Sequence, residues 1–238
     1  MAASDDRRTA GTLRAGATAG IPIAIGYVPI AVAYGALSVK SGVPPGQTCL
    51  MSMLVFAGAS QFMAVSMWAG GAGAAQIVIA TFILNLRQLI MSMALATRLR
   101  DWRAGERLAA SLGITDETFA LLSVRFPPGQ APSGRFVAGL MLGAYLSWVL
   151  GSAAGALFAA AIPESLGSGL SIALYAMFIV LLVPAVRHAW RAGLTAALAM
   201  ALSLALHRVL PAGWAIIGAT VIAAATNVVW PDGREAVA

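Results

Sequence analysis

Arg87 is a lone charge inside an apolar stretch, eleven residues before Arg98, where the basic end of that stretch begins. A guanidinium at such depth is expensive unless it meets a partner or water, which makes it a functional candidate. Thr81, Asn85, Gln88 and Ser92 are spaced by four, three and four along the same stretch. On a helix they stack along one face, with Arg87 about 100° away. Such a stripe can line a cavity, which Arg87 would flank; alternatively Arg87 ties the helix to carbonyls, to Asp116 or to Glu117. A second group, Gly58, Ser60 and Gln61, sits in the middle of the apolar run 49–68. A glutamine amide facing hydrocarbon finds no partners, so Gln61 must face protein or water. In the third group, Asp116 and Glu117 lie between Thr115 and Thr118. Thr115 can cap a helix whose dipole favours acids in the first turn, and the same carboxylates can face a substrate or couple its movement to protons. The two uses do not exclude each other.

The chemistry on offer is recognition rather than bond-making. Zinc-protease, nucleophile-elbow and P-loop patterns do not occur, and one cysteine with two distant histidines makes neither a disulfide nor a metal site. An enzyme is therefore not expected, nor is a cofactor. Any transport would be driven by a gradient rather than by ATP. A channel would need a ring of polar groups built by oligomerisation.

These residues need a membrane scaffold. The chain has 238 residues, 60% hydrophobic and 10% charged, against about 25% charged in a soluble domain. Its continuous Ala- and Leu-rich runs fit an all-α integral membrane protein, not a barrel, and at about 20 residues per crossing there is room for six to eight spans. The net charge of +6 fits basic loops on the cytoplasmic side.

A polar tail, 1–16, precedes a single polytopic domain at 17–230 and a short tail at 231–238. The first apolar segment, 17–38, carries Pro22, Gly26 and Pro29, which predict a kink or local unwinding. Then follow 49–68, 76–97, an amphipathic interfacial stretch at 98–112, and apolar runs near 136–162, 170–186, 192–206 and 213–230. Lys and Arg number three in the tail and six in 98–135. If 17–38, 49–68 and 76–97 all crossed fully, these two basic regions would lie on opposite sides, against the positive-inside rule. The expected architecture is therefore about six full transmembrane helices plus a re-entrant or broken segment at 49–68, with a cytoplasmic N-terminus; the alternative is seven full spans. Gly139, Gly143, Ser147, Gly151 and Gly155 recur every four residues, predicting a close helix–helix approach.

Four motifs carry a family likeness: Gly26-Tyr27-Val28-Pro29 with Ala33-Tyr34-Gly35, then Phe56 to Phe62, then Asn85-Leu86-Arg87, then Thr115 to Phe119. In their order and spacing the chain resembles the AzlC-type branched-chain amino acid permeases, the large subunit of a two-component exporter. The resemblance implies export of hydrophobic amino acids across a bacterial inner membrane and a small AzlD-type membrane subunit as partner. It brings Tyr27 and Pro29 into the candidate substrate site with Gly58, Ser60, Gln61, Asn85, Arg87 and Gln88. Many relatives continue the third motif with His, where this chain has Gln88. Glutamine does not titrate, so coupling to protons falls to Asp116 or Glu117. The bend from Phe56 to Phe62 is expected to line the substrate path, opposite Thr81, Asn85 and Gln88.

Overall fold

The computed structural model describes residues 12–100, 102–126, 130–161, 190–210 and 212–229, together with positions 179, 182, 183, 186 and 187. The elements among them are all helical: α1 Leu13–Ala19, α2 Ile21–Lys40, α3 Pro45–Val55, α4 Gly58–Ala69, α5 Ala74–Arg98, α6 Ala104–Leu112, α7 Asp116–Arg125, α8 Gly134–Leu157, α9 Trp190–Leu206 and α10 Ala212–Val229. Among the described residues α2, α5 and α8 are long and apolar enough to cross a membrane, and Gly193–Leu206 and Trp214–Thr226 are shorter apolar helices. Most of the run expected at 170–186, the turn at 127–129, His188 and the tails at 1–11 and 230–238 lie outside the described residues.

The prolines act where their missing N–H does least harm. Pro22 occupies the first turn of α2, a position that needs no intrahelical donor, and the division between α1 and α2 falls just ahead of it at Gly20. The helix then runs on through Pro29. The expected interruption of the first segment is thus at Gly20 rather than deeper in the span.

The described chain sorts into two compact units, 1–62 with 84–171 and 63–83 with 172–238. In the first, α8 is the central helix and packs on α1, α2, α3, α6 and α7. Glycines on both partners allow this. A methyl on Gly35 or Gly155 would collide with the backbone carbonyl of Ser152 or Val32, and one on Gly139 or Gly16 with that of Leu13 or Phe136. A methyl on Gly151 would meet Ala31 Cβ at 2.7 Å, whereas Gly143 faces open space. The ridge read from the sequence therefore packs through three of its glycines. Leu95, Leu99, Ala110, Ile114, Leu122, Phe136, Val137, Leu140 and Met141 form the apolar core beneath α6 and α7. Helix α6 turns Ala110 inward and leaves Leu108 and Leu112 exposed, the amphipathic arrangement expected of an interfacial helix. In the second unit α9 packs on α10, which buries Ala215, Ala219 and Ala223 at four-residue spacing.

Candidate functional site

The run 49–68 is broken. Helix α3 stops at Val55, Phe56 takes the left-handed conformation (φ 39°, ψ 48°), and α4 starts at Gly58. A bulky residue with a Cβ pays roughly 1–2 kcal/mol for that geometry, so the surroundings must hold it. Two contacts with Tyr145 do so. Its ring packs edge-on against Phe56 at 5.2 Å between centroids, and its hydroxyl donates to the Met53 carbonyl at 2.9 Å. In an unbroken helix that carbonyl would accept from the residue four ahead.

Around the break lies a layer of fully buried polar side chains. Gln61 has no exposed surface. Its Oε1 accepts from Trp148 Nε1 at 2.9 Å and its Nε2 donates to Ser52 Oγ at 3.0 Å. Ser38 and Thr48 share a hydroxyl–hydroxyl bond of 2.8 Å. The Tyr34 hydroxyl is buried beside Ser38, Ser52 and Gln61 but meets hydrogen-bond geometry with none of them. Ser60 is buried and donates to the Ala57 carbonyl at 2.9 Å. Gly58 leaves room for the Trp148 ring, since a Cβ there would stand 2.6 Å from its Cη2.

Trp148 leads from this layer to the carboxylates. Its ring meets Tyr27 edge-on at 5.6 Å and stacks on Tyr34 at 6.1 Å. The Tyr27 hydroxyl contacts Thr115 Oγ1 at 2.8 Å and donates to Glu117 Oε2 at 2.5 Å. Thr115 caps α7 in a reciprocal box with Thr118, and Asp116 and Glu117 occupy the first turn, as expected for the capping use. Asp116 also pairs with Arg87, Nη2 to Oδ2, at 3.0 Å. Burial raises the Asp116 pKa above the ordinary carboxylate value; the Arg87 charge works against that rise and Glu117 adds to it. Arg87 Nε is buried with no acceptor among the described residues, so there one donor of this guanidinium remains unused.

The residues singled out in the sequence thus divide. Tyr27, Gly58, Ser60, Gln61, Arg87, Asp116 and Glu117 join one connected set within the first unit. Pro29 is exposed on α2. Asn85 and Gln88 are half-buried and their side chains hydrogen-bond to no other described residue, Ser92 donates to the Ser111 carbonyl at 3.2 Å, and Thr81 donates to its own helix at Ile77. Trp148, the hub, was not singled out in the sequence. The available signal was an indole N–H midway along an apolar span, a donor that must find an acceptor. Among the described residues no three His, Cys, Asp or Glu cluster to hold a metal.

The family model described as AzlC protein matches residues 22–162, the stretch that carries the break, Arg87, the capped carboxylates and Trp148. The chain belongs to the AzlC family. It is 34% identical over 173 residues to an "Uncharacterized membrane protein" of Archaeoglobus fulgidus, covering 72% of this chain and 74% of that one. It is 27% identical over 147 residues to the "Inner membrane protein YgaZ" of Escherichia coli, covering 61% and 60%. A third relative, the "Branched-chain amino acid transport protein AzlC" of Bacillus subtilis, is 26% identical over 163 residues, covering 68% and 63%. No solved structure matches. Like the relatives named as membrane proteins, this AzlC-family chain is a multi-pass membrane protein.

Proposed function

We propose that this protein is a secondary transporter that exports branched-chain or similar hydrophobic amino acids across the bacterial inner membrane, working with a small AzlD-type subunit. The observation that carries the reading is the broken helix at Phe56 and Ala57 inside a layer of buried polar groups. A span with no structural need for polarity has no reason to bear that layer, whereas interrupted helices at membrane depth offer backbone dipoles to a zwitterion. The names of the Bacillus subtilis and Escherichia coli relatives support the substrate class and the membrane. In this mechanism the unused Nε of Arg87 receives the substrate carboxylate. Asp116 competes for the same guanidinium, so a proton arriving on Asp116 frees Arg87, which couples substrate to protons. Backbone N–H donors at the break share the carboxylate with Arg87. Gln61 or Asn85, with Gln88 beside it, or a carboxylate takes the ammonium, and apolar side chains enclose the substrate's own chain.

Efflux of labelled leucine, isoleucine or valine from proteoliposomes, with and without the small subunit, tests this. Absence of efflux of any amino acid under both conditions sinks it. A second reading, a non-transporting membrane subunit, draws on one observation: the Gln61 amide is already bonded on both its oxygen and its nitrogen within the protein. Arg87→Ala separates the two. A well-assembled but inactive protein is expected of a transporter, and a loss of assembly of a scaffold.

A further inference from the structure

A groove of about 1070 Å³ runs along one face of α8, between the end of α3 and helix α6. None of the candidate substrate or coupling side chains lines it, although it reaches the helix break through Met53 to Phe56. Its two ends differ. At the start of α8 it is lined by Arg135, Ser133, Trp102 and Glu106; Arg135 is exposed, and Glu106 is turned to the Arg103 backbone N–H at 3.2 Å, capping α6. The Trp102 ring lies over Gly134. From there the lining becomes apolar, through Ala138, Met141 and Leu142 to Tyr145, Leu54 and Phe56 at the helix break. Leu54 is 75% exposed, Leu112 on the opposite wall 73% and Leu142 50%.

We infer that this groove seats an anionic phospholipid of the surrounding bilayer, with its phosphate on Arg135 and an acyl chain lying along α8 to Phe56. Three observations commit the groove to a lipid. From Arg135 to Tyr145 a helix rises about 15 Å, the depth of one leaflet in a hydrocarbon core about 30 Å thick. An exposed cation stands only at the end where a headgroup would sit, and the partly buried indole beside it suits the interface. The remaining walls present leucines that need hydrocarbon against them. The lipid would touch both Phe56 and Tyr145, the pair that holds the break.

Native mass spectrometry of the purified full-length chain in mild detergent, offered phosphatidylglycerol or phosphatidylcholine with identical acyl chains, tests this independently of transport. The parent protein is expected to retain phosphatidylglycerol preferentially. Arg135→Gln should lower that preference about fivefold, the contribution of one basic side chain near a membrane surface. Ala138→Trp, which fills the floor of the groove, should reduce retention of both lipids. Arg100→Gln, at an exposed arginine outside the groove, should leave retention at the parent level. Equal retention of the two lipids, or parent-level preference in Arg135→Gln, overturns the inference. So does a protein adduct, a second copy or a small subunit, that Ala138→Trp removes in place of lipid. Should Ala138→Trp fail to fold, Arg135→Gln, a surface substitution, still decides.

Discussion

At the scale of residues, Gln61 is held because Gly58 makes space for Trp148. In Gly58→Ala the new methyl meets the indole, and overpacking of this kind costs about 1–3 kcal/mol. Trp148→Phe keeps a ring but leaves the buried Gln61 oxygen without its donor, again about 1–3 kcal/mol. Both are expected to lower the melting temperature in detergent, while Ser60→Ala, which loses only a local bond to the Ala57 carbonyl, should change it far less. Asp116 gives a pH signature. Its folded pKa lies above the ordinary carboxylate value because it is buried, with Arg87 opposing the rise and Glu117 adding to it. The folded chain therefore keeps this proton to higher pH than the unfolded chain, and stability declines as pH rises through that window. Melting temperatures between about pH 4 and pH 7 should show this slope in the parent and lose it in Asp116→Asn. Gln61, Arg87 and the paired acids were legible in the sequence because each is a polar type in an apolar neighbourhood. Trp148 and Tyr34 were not, because an aromatic in a span passes for an apolar residue until its donor is traced to an acceptor. That tracing needs the fold.

At the scale of elements, the pairing of α2 with α8 depends on missing side chains. Gly35→Ala or Gly155→Ala places a methyl against the facing backbone, which cannot give way as a flexible side chain can. Each should reduce the yield of folded protein and lower its melting temperature by the equivalent of 1–3 kcal/mol or more, roughly the cost of overpacking. Gly143→Ala, facing open space, should behave as the parent. The periodic glycines were readable from spacing alone, but spacing could not say that Gly143 makes no close approach or that Gly35 completes the seam from α2. The break in 49–68 was similarly legible as a polar, glycine-bearing interruption. The break falls at the start of the expected bend, Phe56 to Phe62, but its geometry was not legible, since the left-handed residue is a phenylalanine rather than the nearby Gly58, and the Tyr145 hydroxyl that stabilises it comes from another helix. Proline is a weaker guide: Pro22 divides α1 from α2, while Pro29 is absorbed within α2.

At the scale of the whole molecule, the charge count and the broken segment bear on topology together. If 49–68 returns to the side it entered, the linker 69–75 faces away from the N-terminal tail. With Cys49, the chain's one cysteine, replaced by serine, single cysteines placed across 69–75 should react with a membrane-impermeant thiol reagent from outside intact cells. Labelling from the cytoplasmic side instead would establish seven full spans. The helical class was legible from composition, because so apolar a chain has few other ways to satisfy its backbone. The break between α3 and α4 also bears on how such a chain is made. Met53 and its clasp Tyr145 stand 92 residues apart, and Gln61 and Trp148 stand 87 apart. During synthesis α3 and α4 leave the ribosome long before α8 does, and until Gly134–Leu157 is inserted the Gln61 amide and the Met53 carbonyl lack their α8 partners. Insertion of α8 is thus the step that commits the first unit to its bent form, and a nascent chain halted before it exposes to quality control the glutamine amide that the finished protein conceals.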